Sequence, residues 1–324
     1  MIRRILPLIL ASGCTGGPEF FFSHMSTMES ETRGVVLYED GQRGHAAMWN
    51  TTCEFDTLNG WLIDDHDLPT ESEVIQDQHQ GTALAVSDEG VHTIYERTDT
   101  PLSQVVAARL QDDGSLITIR WDEADDGCVV DVWDSTASVP DALCAEGVSV
   151  DTDRQGGLVV ATGKDLYSVD EAGAVWLASD VDLVVHDGSN GMTYVAQLFG
   201  DRVSGLDAGG KAVWTAQTDG PITSLDDMGQ RGMAVVMVED LTTGRAALQM
   251  FEGTSGEEVV RHDTPSGDGE ITVSVDGTTL AVTIPGQVHF YDVLAVGETP
   301  KRRRTFGTRD GFLNLNNDDR VFSD

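Results

Sequence analysis

The sequence predicts an all-β fold: a single β-propeller of four-stranded antiparallel sheets, with seven blades expected and six or eight as the neighbouring counts. Three observations lead there. An apolar run closed by an acid recurs along the chain, with the acids at 56, 96, 134, 170, 207, 252 and 292. Their spacing averages about 39 residues, the length of a unit of four short strands. A second, independent series of apolar runs precedes most of these acids and steps by about the same length: Thr82–Val86, Leu116–Ile119, Leu158–Ala161, Met192–Ala196, Met233–Met237 and Leu280–Ile284. Finally, the runs are short, rich in Val, Ile, Thr and Tyr, and bounded by Asp-Gly, Asn-Gly and Gly-Gly turns, with no sustained 3.6-residue apolar period. The 35 glycines are too many for a helical chain. One such unit cannot bury both of its faces alone. Radial stacking buries them, and closing the ring removes the exposed edges.

From the N-terminus, Arg3 and Arg4 precede a short apolar core, Ile5 to Leu10, and then Ala11-Ser12-Gly13-Cys14. This order is that of a secretory signal peptide, residues 1–13. The small residues directly before a Cys resemble a bacterial lipobox. The resemblance implies lipidation of Cys14, a tether over residues 14–32 and a membrane anchor. Thr15 after the Cys, in place of an Asp, points to the outer membrane. A plain secreted protein with an early Cys is the other reading. The propeller then occupies residues 33–324. Its units carry Phe55 to Trp61, Tyr95-Glu96, Trp133-Asp134, Tyr167 to Trp176, Leu206 to Trp214, Phe251 to Val259 and Tyr291-Asp292. Asp113-Gly114, Asp187-Gly188, Asn190-Gly191 and Asp276-Gly277 supply turn positions for tight hairpins. Phe312 to Leu315 and Arg320 to Phe322 are strand-like, and the C-terminal strand is expected to join the first or last blade and close the ring.

The chain carries 20 Lys and Arg against 55 Asp and Glu, a formal charge of −35. Lys occurs only at 164, 211 and 301, and no Lys or Arg lies between His45 and Glu96. Such a charge excludes nucleic-acid binding through a basic face. No apolar stretch approaches the ~18 residues of a membrane-spanning helix. An acid surface of this kind keeps a protein soluble at high salt; its functional counterpart is a face for cations or basic partners. Lys301-Arg302-Arg303-Arg304 reads as a local counter-charge on that body.

Candidate chemistry is sparse. With Cys14 lipidated, Cys53, Cys128 and Cys144 remain for an oxidising compartment. Cys128 and Cys144 share one acidic stretch and are expected to form a disulfide between adjacent antiparallel strands, leaving Cys53 over. No Cys-x-x-Cys supports a zinc site. Asp64-Asp65-His66-Asp67 is the densest ligand-type cluster, read as a polar loop that could hold a divalent ion. Asp122 to Gly127 could offer oxygens to Ca²⁺ but reads as a hairpin tip. His262-Asp263 lacks a nucleophile elbow, and no Walker or dinucleotide-binding glycine loop is present. No catalytic residue is assigned, so a non-enzyme is expected.

The phrase Leu206-Asp207-Ala208-Gly209-Gly210-Lys211-Ala212-Val213-Trp214, its copy ending at Trp176 and the Phe55 to Trp61 copy resemble the blade signature of quinoprotein-type (PQQ-like) and WD-like propeller repeats. The resemblance covers about residues 34–300. It implies that Trp61, Trp176 and Trp214 pack between blades and that Gly60, Gly173 and Gly210 make strand-linking turns. Quinone binding is not expected, because the chain is short for a quinoprotein dehydrogenase and has no adjacent Cys pair. The expected protein is a monomeric, cofactor-free, lipid-anchored cell-envelope module that binds a protein or glycan. A propeller hydrolase or lyase acting on an extracellular polymer is the alternative, to be recognised by polar side chains and perturbed carboxylates gathered at the centre.

Overall fold

The computed structural model describes strands between residues 32 and 307, with turns and side chains mainly between 104 and 303; residues 1–31, residues 308–324 and several connecting loops lie outside the described residues. The described strands form seven four-stranded sheets, each a meander of four consecutive strands. The first strands are Thr32–Leu37, Glu73–Asp77, Val105–Leu110, Ser149–Thr152, Leu183–Asp187, Ile222–Asp227 and Glu270–Val273, in blades 1 to 7. Most of these first strands lie against that of the next blade; at the junction of blades 2 and 3, Val105–Leu110 lies against the second strand of blade 2, Thr82–Ser87; and the first strand of blade 1 lies against that of blade 7. They therefore form the inner ring, which closes on itself.

The apolar series and five of the seven acids fall where a four-stranded unit requires; Glu96 and Asp134 lie outside the described residues. The runs at 82, 116, 158, 192, 233 and 280 are second strands of blades 2 to 7. The acids at 56, 170, 252 and 292 end third strands, and Asp207 follows one directly. The carboxylates of three of them fold over the turn to the outer strand. Asp170 Oδ1 accepts the Ala172 N–H at 2.8 Å, Asp207 Oδ1 accepts the Gly209 N–H at 3.0 Å, and Glu252 Oε2 accepts the Ser255 N–H at 2.6 Å. At these three positions the periodic acid is a turn-forming acceptor.

Second strands are covered on both faces because each sheet is stacked between two others. Leu158–Ala161 and Met192–Ala196 are buried at every position. The seams are apolar. Between blades 6 and 7, Met237, Leu248 and Met250 pack with Val273, Leu280 and Tyr291. Between blades 3 and 4, Ile117, Ile119 and Leu143 pack with Leu158 and Val160. Outer strands are largely open to solvent: in Gly173–Ser179 only Gly173 is buried.

The seventh sheet already has its four strands at Lys301–Gly307, and the first has its four from Thr32 to Asp67. Ring closure is therefore lateral packing of two complete blades. The segment from Phe312 to Phe322, expected to close the ring, lies outside the described residues.

Cys128 and Cys144 form a disulfide, with Cα atoms 5.8 Å apart. Cys144 does not stand on an adjacent strand, as the sequence suggested. It ends the 3-10 turn Asp141–Cys144, which follows the outer strand Ser135–Ser138 and tucks Leu143 into the seam between blades 3 and 4. The sequence separation of 16 residues sets the loop-closure gain at about 3 kcal/mol. Cys128→Ala should lower the unfolding free energy by that amount in urea titrations without reductant. Non-reducing peptide mapping should recover Cys128 joined to Cys144, and a link from Cys53 to either would overturn the pairing.

Candidate functional site

Four carboxylates gather near the C-terminal ends of the inner strands of blades 4, 5 and 6: Asp151, Asp187, Asp226 and Asp227, all buried. Neighbouring inner strands do not pair as one continuous sheet, so backbone N–H groups facing the next blade need another acceptor. Two Ser-x-Asp pairs supply it. Ser149 Oγ and Asp151 Oδ2 accept the N–H groups of Val184 and His186 at 3.1 and 2.7 Å. Ser224 Oγ and Asp226 Oδ2 accept those of Ile271 and Val273 at 3.2 and 2.8 Å. Between blades 3 and 4 the Arg109 guanidinium donates to the Val150 carbonyl instead.

Asp187 closes the next turn. Its Oδ1 accepts the Ser189 N–H at 2.8 Å and its Oδ2 accepts the Tyr194 hydroxyl at 2.8 Å, while Asn190 donates to the Tyr194 oxygen at 2.7 Å. Burial, reinforced by Asp187, pushes the Tyr194 phenol far up. Gly253 of blade 6 lies over this network. A Cβ there would stand 2.1 Å from the Tyr194 hydroxyl and 2.5 Å from the Gly232 carbonyl oxygen, so no side chain fits.

Burial raises both Asp226 and Asp227 above the ordinary carboxyl range. Asp226, Asp187 and Asp151 push Asp227 further, and its one opposing contact of note is the Gly229 N–H, 2.6 Å from Oδ1. The Asp227 and Val273 N–H groups oppose the shift of Asp226. Such carboxyls hold protons more firmly than usual. Each is nevertheless committed to a blade seam or a turn, which gives the group a structural role first.

The opposite end of the ring, where inner strands begin, presents a different surface. The turn between the second and third strands of blade 5 places Leu198 and Phe199 outward, 43% and 62% exposed. Leu198 N–H donates to Asp182 Oδ2 at 2.9 Å, Phe199 N–H to the Ile222 carbonyl at 2.7 Å, and Ile222 N–H to the Gly200 carbonyl at 2.8 Å. Phe199 has φ +60°, a left-handed conformation that L side chains with a Cβ rarely adopt. A second apolar exposure, Val175 and Trp176 on the outer strand of blade 4 with Val213 on that of blade 5, lies on the rim.

The residues assigned from sequence are not brought together into one site. Trp214 does pack between blades: its indole N–H donates to the Gly253 carbonyl at 2.6 Å, and its ring stacks on Phe251 with centroids 6.5 Å apart. Trp176 does not. It is 56% exposed, and its indole N–H bonds Asp165 within its own blade. The reason is register. Trp214 is paired with Gly205, two residues before its acid, whereas Trp176 is paired with Tyr167, three residues before its own. A slip of one residue turns a side chain to the other face of a sheet. Gly210 makes the turn assigned to it, at φ +75°, packed on Leu177 of blade 4, and Gly173 begins its outer strand at φ +118°. Gly60 and Trp61 lie outside the described residues.

Asp64, Asp65, His66 and Asp67 stand on the outer strand of blade 1, not in the loop expected from the sequence, and their side chains lie outside the described residues. Among the described residues no group of three His, Cys, Asp or Glu side chains is placed to hold a metal ion. Asp122 and Glu123 open the hairpin turn of blade 3, where Asp122 Oδ1 accepts the Ala124 N–H at 2.9 Å. His262 packs edge-on against Tyr291 of blade 7 at 5.3 Å, in a seam where burial lowers its pKa. In the basic run, Arg303 pairs with Asp292, a contact of the counter-charge type. Cys14 lies outside the described residues and Cys53 is on the third strand of blade 1.

Sequence reading missed the Ser-x-Asp seam clamps and the Leu198-Phe199 turn. Ser149-Val150-Asp151 and Ser224-Leu225-Asp226 are legible as a repeated triplet, but Ser168-Val169-Asp170 and Ser274-Val275-Asp276 share it and stand elsewhere in their blades.

Together these features define a β-propeller protein whose buried acids serve its seams and turns. Among solved structures, the chain resembles streptogramin B lyase (11% identity, 79% of this chain and 91% of that one, TM-score 0.59). It also resembles Kluyveromyces lactis Hsv2 (10% identity, 86% and 99%, TM-score 0.58) and the β-propeller domain of Myceliophteria thermophila Cps50 (Swd1) (10% identity, 82% and 94%, TM-score 0.57). At these identities the likeness is one of fold. No family model matches the chain, and no curated protein matches it.

Proposed function

We propose that this protein is a non-catalytic binding module of the cell envelope, held at a membrane by lipid on Cys14 and engaging a protein or glycan partner through the exposed turns of its propeller. The observation that carries the reading is the Leu198-Phe199 turn, an exposed apolar pair fixed by backbone hydrogen bonds at the end where inner strands begin. Rigid, exposed aromatic side chains are the usual anchors of interfaces. The hydrolase or lyase alternative draws support from the raised Asp226 and Asp227, but both are buried and occupied by backbone donors.

Cell fractionation tests the anchor: Cys14→Ser should move the protein from the membrane fraction to the soluble one, and a variant that fractionates like wild type would remove the lipid from the reading. A pull-down from detergent extract tests the module. Leu198→Ser/Phe199→Gly should lose the proteins or glycans retained by wild type, while a polymer-hydrolysis screen run in parallel should show no turnover. Turnover abolished by Asp227→Asn would favour the enzyme instead.

A further inference from the structure

We infer that the Leu198-Phe199 turn is a docking point for a cationic, apolar peptide segment of a partner protein; this rests on the binding-module reading and narrows its partner. Three features of the turn lead to it. Phe199 is held at φ +60°, where a glycine would be free of strain, yet the residue is a large aromatic that contributes little to the core because 62% of it is exposed. The fold gains little from a phenyl ring at that position, so the ring's value lies in what it meets outside.

The turn is also fixed in advance. Hydrogen bonds tie it to Asp182, before the first strand of its own blade, and to Ile222, which begins the inner strand of the next. A partner would not have to order it, which lowers the entropy cost of binding.

Charge then selects the partner. Asp182, in the linker before the first strand, accepts the Leu198 N–H, and Asp201 follows Phe199 by two residues; Asp201 is 63% exposed and its ion pair with Arg202 is loose at 3.9 Å. Asp219, in the next linker, already pairs with Arg261. On a chain of charge −35, an acidic segment would be repelled from this rim, whereas Lys or Arg beside an apolar residue meets both the carboxylates and the phenyl face.

The test uses the purified soluble chain from Cys14→Ser and three synthetic probes: KLKLKLK, ELELELE and heptalysine. KLKLKLK should bind, with affinity falling at least tenfold in Phe199→Gly and at least tenfold between 50 and 500 mM NaCl, as expected for a contact that is part apolar and part ionic. ELELELE should not bind, and heptalysine should bind more weakly than KLKLKLK, with a smaller loss in Phe199→Gly because it brings no apolar side chain to the ring. The same substitution should raise the melting temperature, because it relieves the left-handed strain, so lost binding cannot be ascribed to unfolding. KLKLKLK affinity within twofold of wild type in Phe199→Gly, or equal binding of ELELELE, overturns the inference. If that happens while the envelope pull-down still depends on Leu198 and Phe199, the binding-module reading stands and only the cationic partner is wrong. If neither depends on the turn, both fail.

Discussion

Trp214→Ala should cost about 3–5 kcal/mol of unfolding free energy, the usual range for emptying a buried Trp site. Three contacts disappear at once. The indole fills the space over Gly205, where a Cβ would stand 2.4 Å from the ring, and it covers Gly256 of blade 6, where a Cβ would stand 2.5 Å away. Its N–H also satisfies the Gly253 carbonyl across the seam. The loss therefore falls on the junction of blades 5 and 6. Trp176→Ala should cost under about 0.5 kcal/mol, as for an ordinary surface site. Urea titrations of the two variants decide the matter. Equal losses would mean that the register difference between the two outer strands has no energetic consequence, and the account of blade packing would fail.

Asp227→Asn should stabilise the protein at pH 7 and have no such effect near pH 4. The folded state raises this carboxyl above its unfolded value, so folding favours the protonated form. Below the unfolded value of about 3.9 both states are protonated and the group costs nothing. As pH rises past that point the unfolded chain ionises first, and the folded state bears a growing penalty until the folded pKa is passed. Asp226 follows the same sign, so both carboxyls oppose folding at neutral pH. Asn retains an oxygen for the Gly229 N–H while removing the charge. Melting curves of wild type and variant at both pH values isolate this effect from the general repulsion of an acidic surface, which both proteins share. A variant less stable at pH 7, or equally stabilised at both, would show that Asp227 is an ionised acceptor in a favourable site.

The sequence alone determined the architecture. Two series of short apolar runs at one period, with turn residues between them, admit stacked four-stranded units and little else, because local strand propensity and turn chemistry are properties of neighbouring residues. The acids at 170, 207 and 252 were legible for the same reason: each acts on a backbone N–H within a few residues of itself. Tertiary structure decided everything that depends on which face a side chain takes or which blade it meets. The shared Val-Trp phrase could not tell buried Trp214 from exposed Trp176, since one residue of register separates them. Nor could it find the seam clamps, because Asp151 and Asp226 act on backbone 35 and 47 residues away. The Leu198-Phe199 turn was hidden for a third reason. An apolar pair in sequence reads as core, and its exposure follows from N–H bonds to the Asp182 carboxylate of its own blade and to the Ile222 carbonyl, which only the stacking of the next blade brings to it.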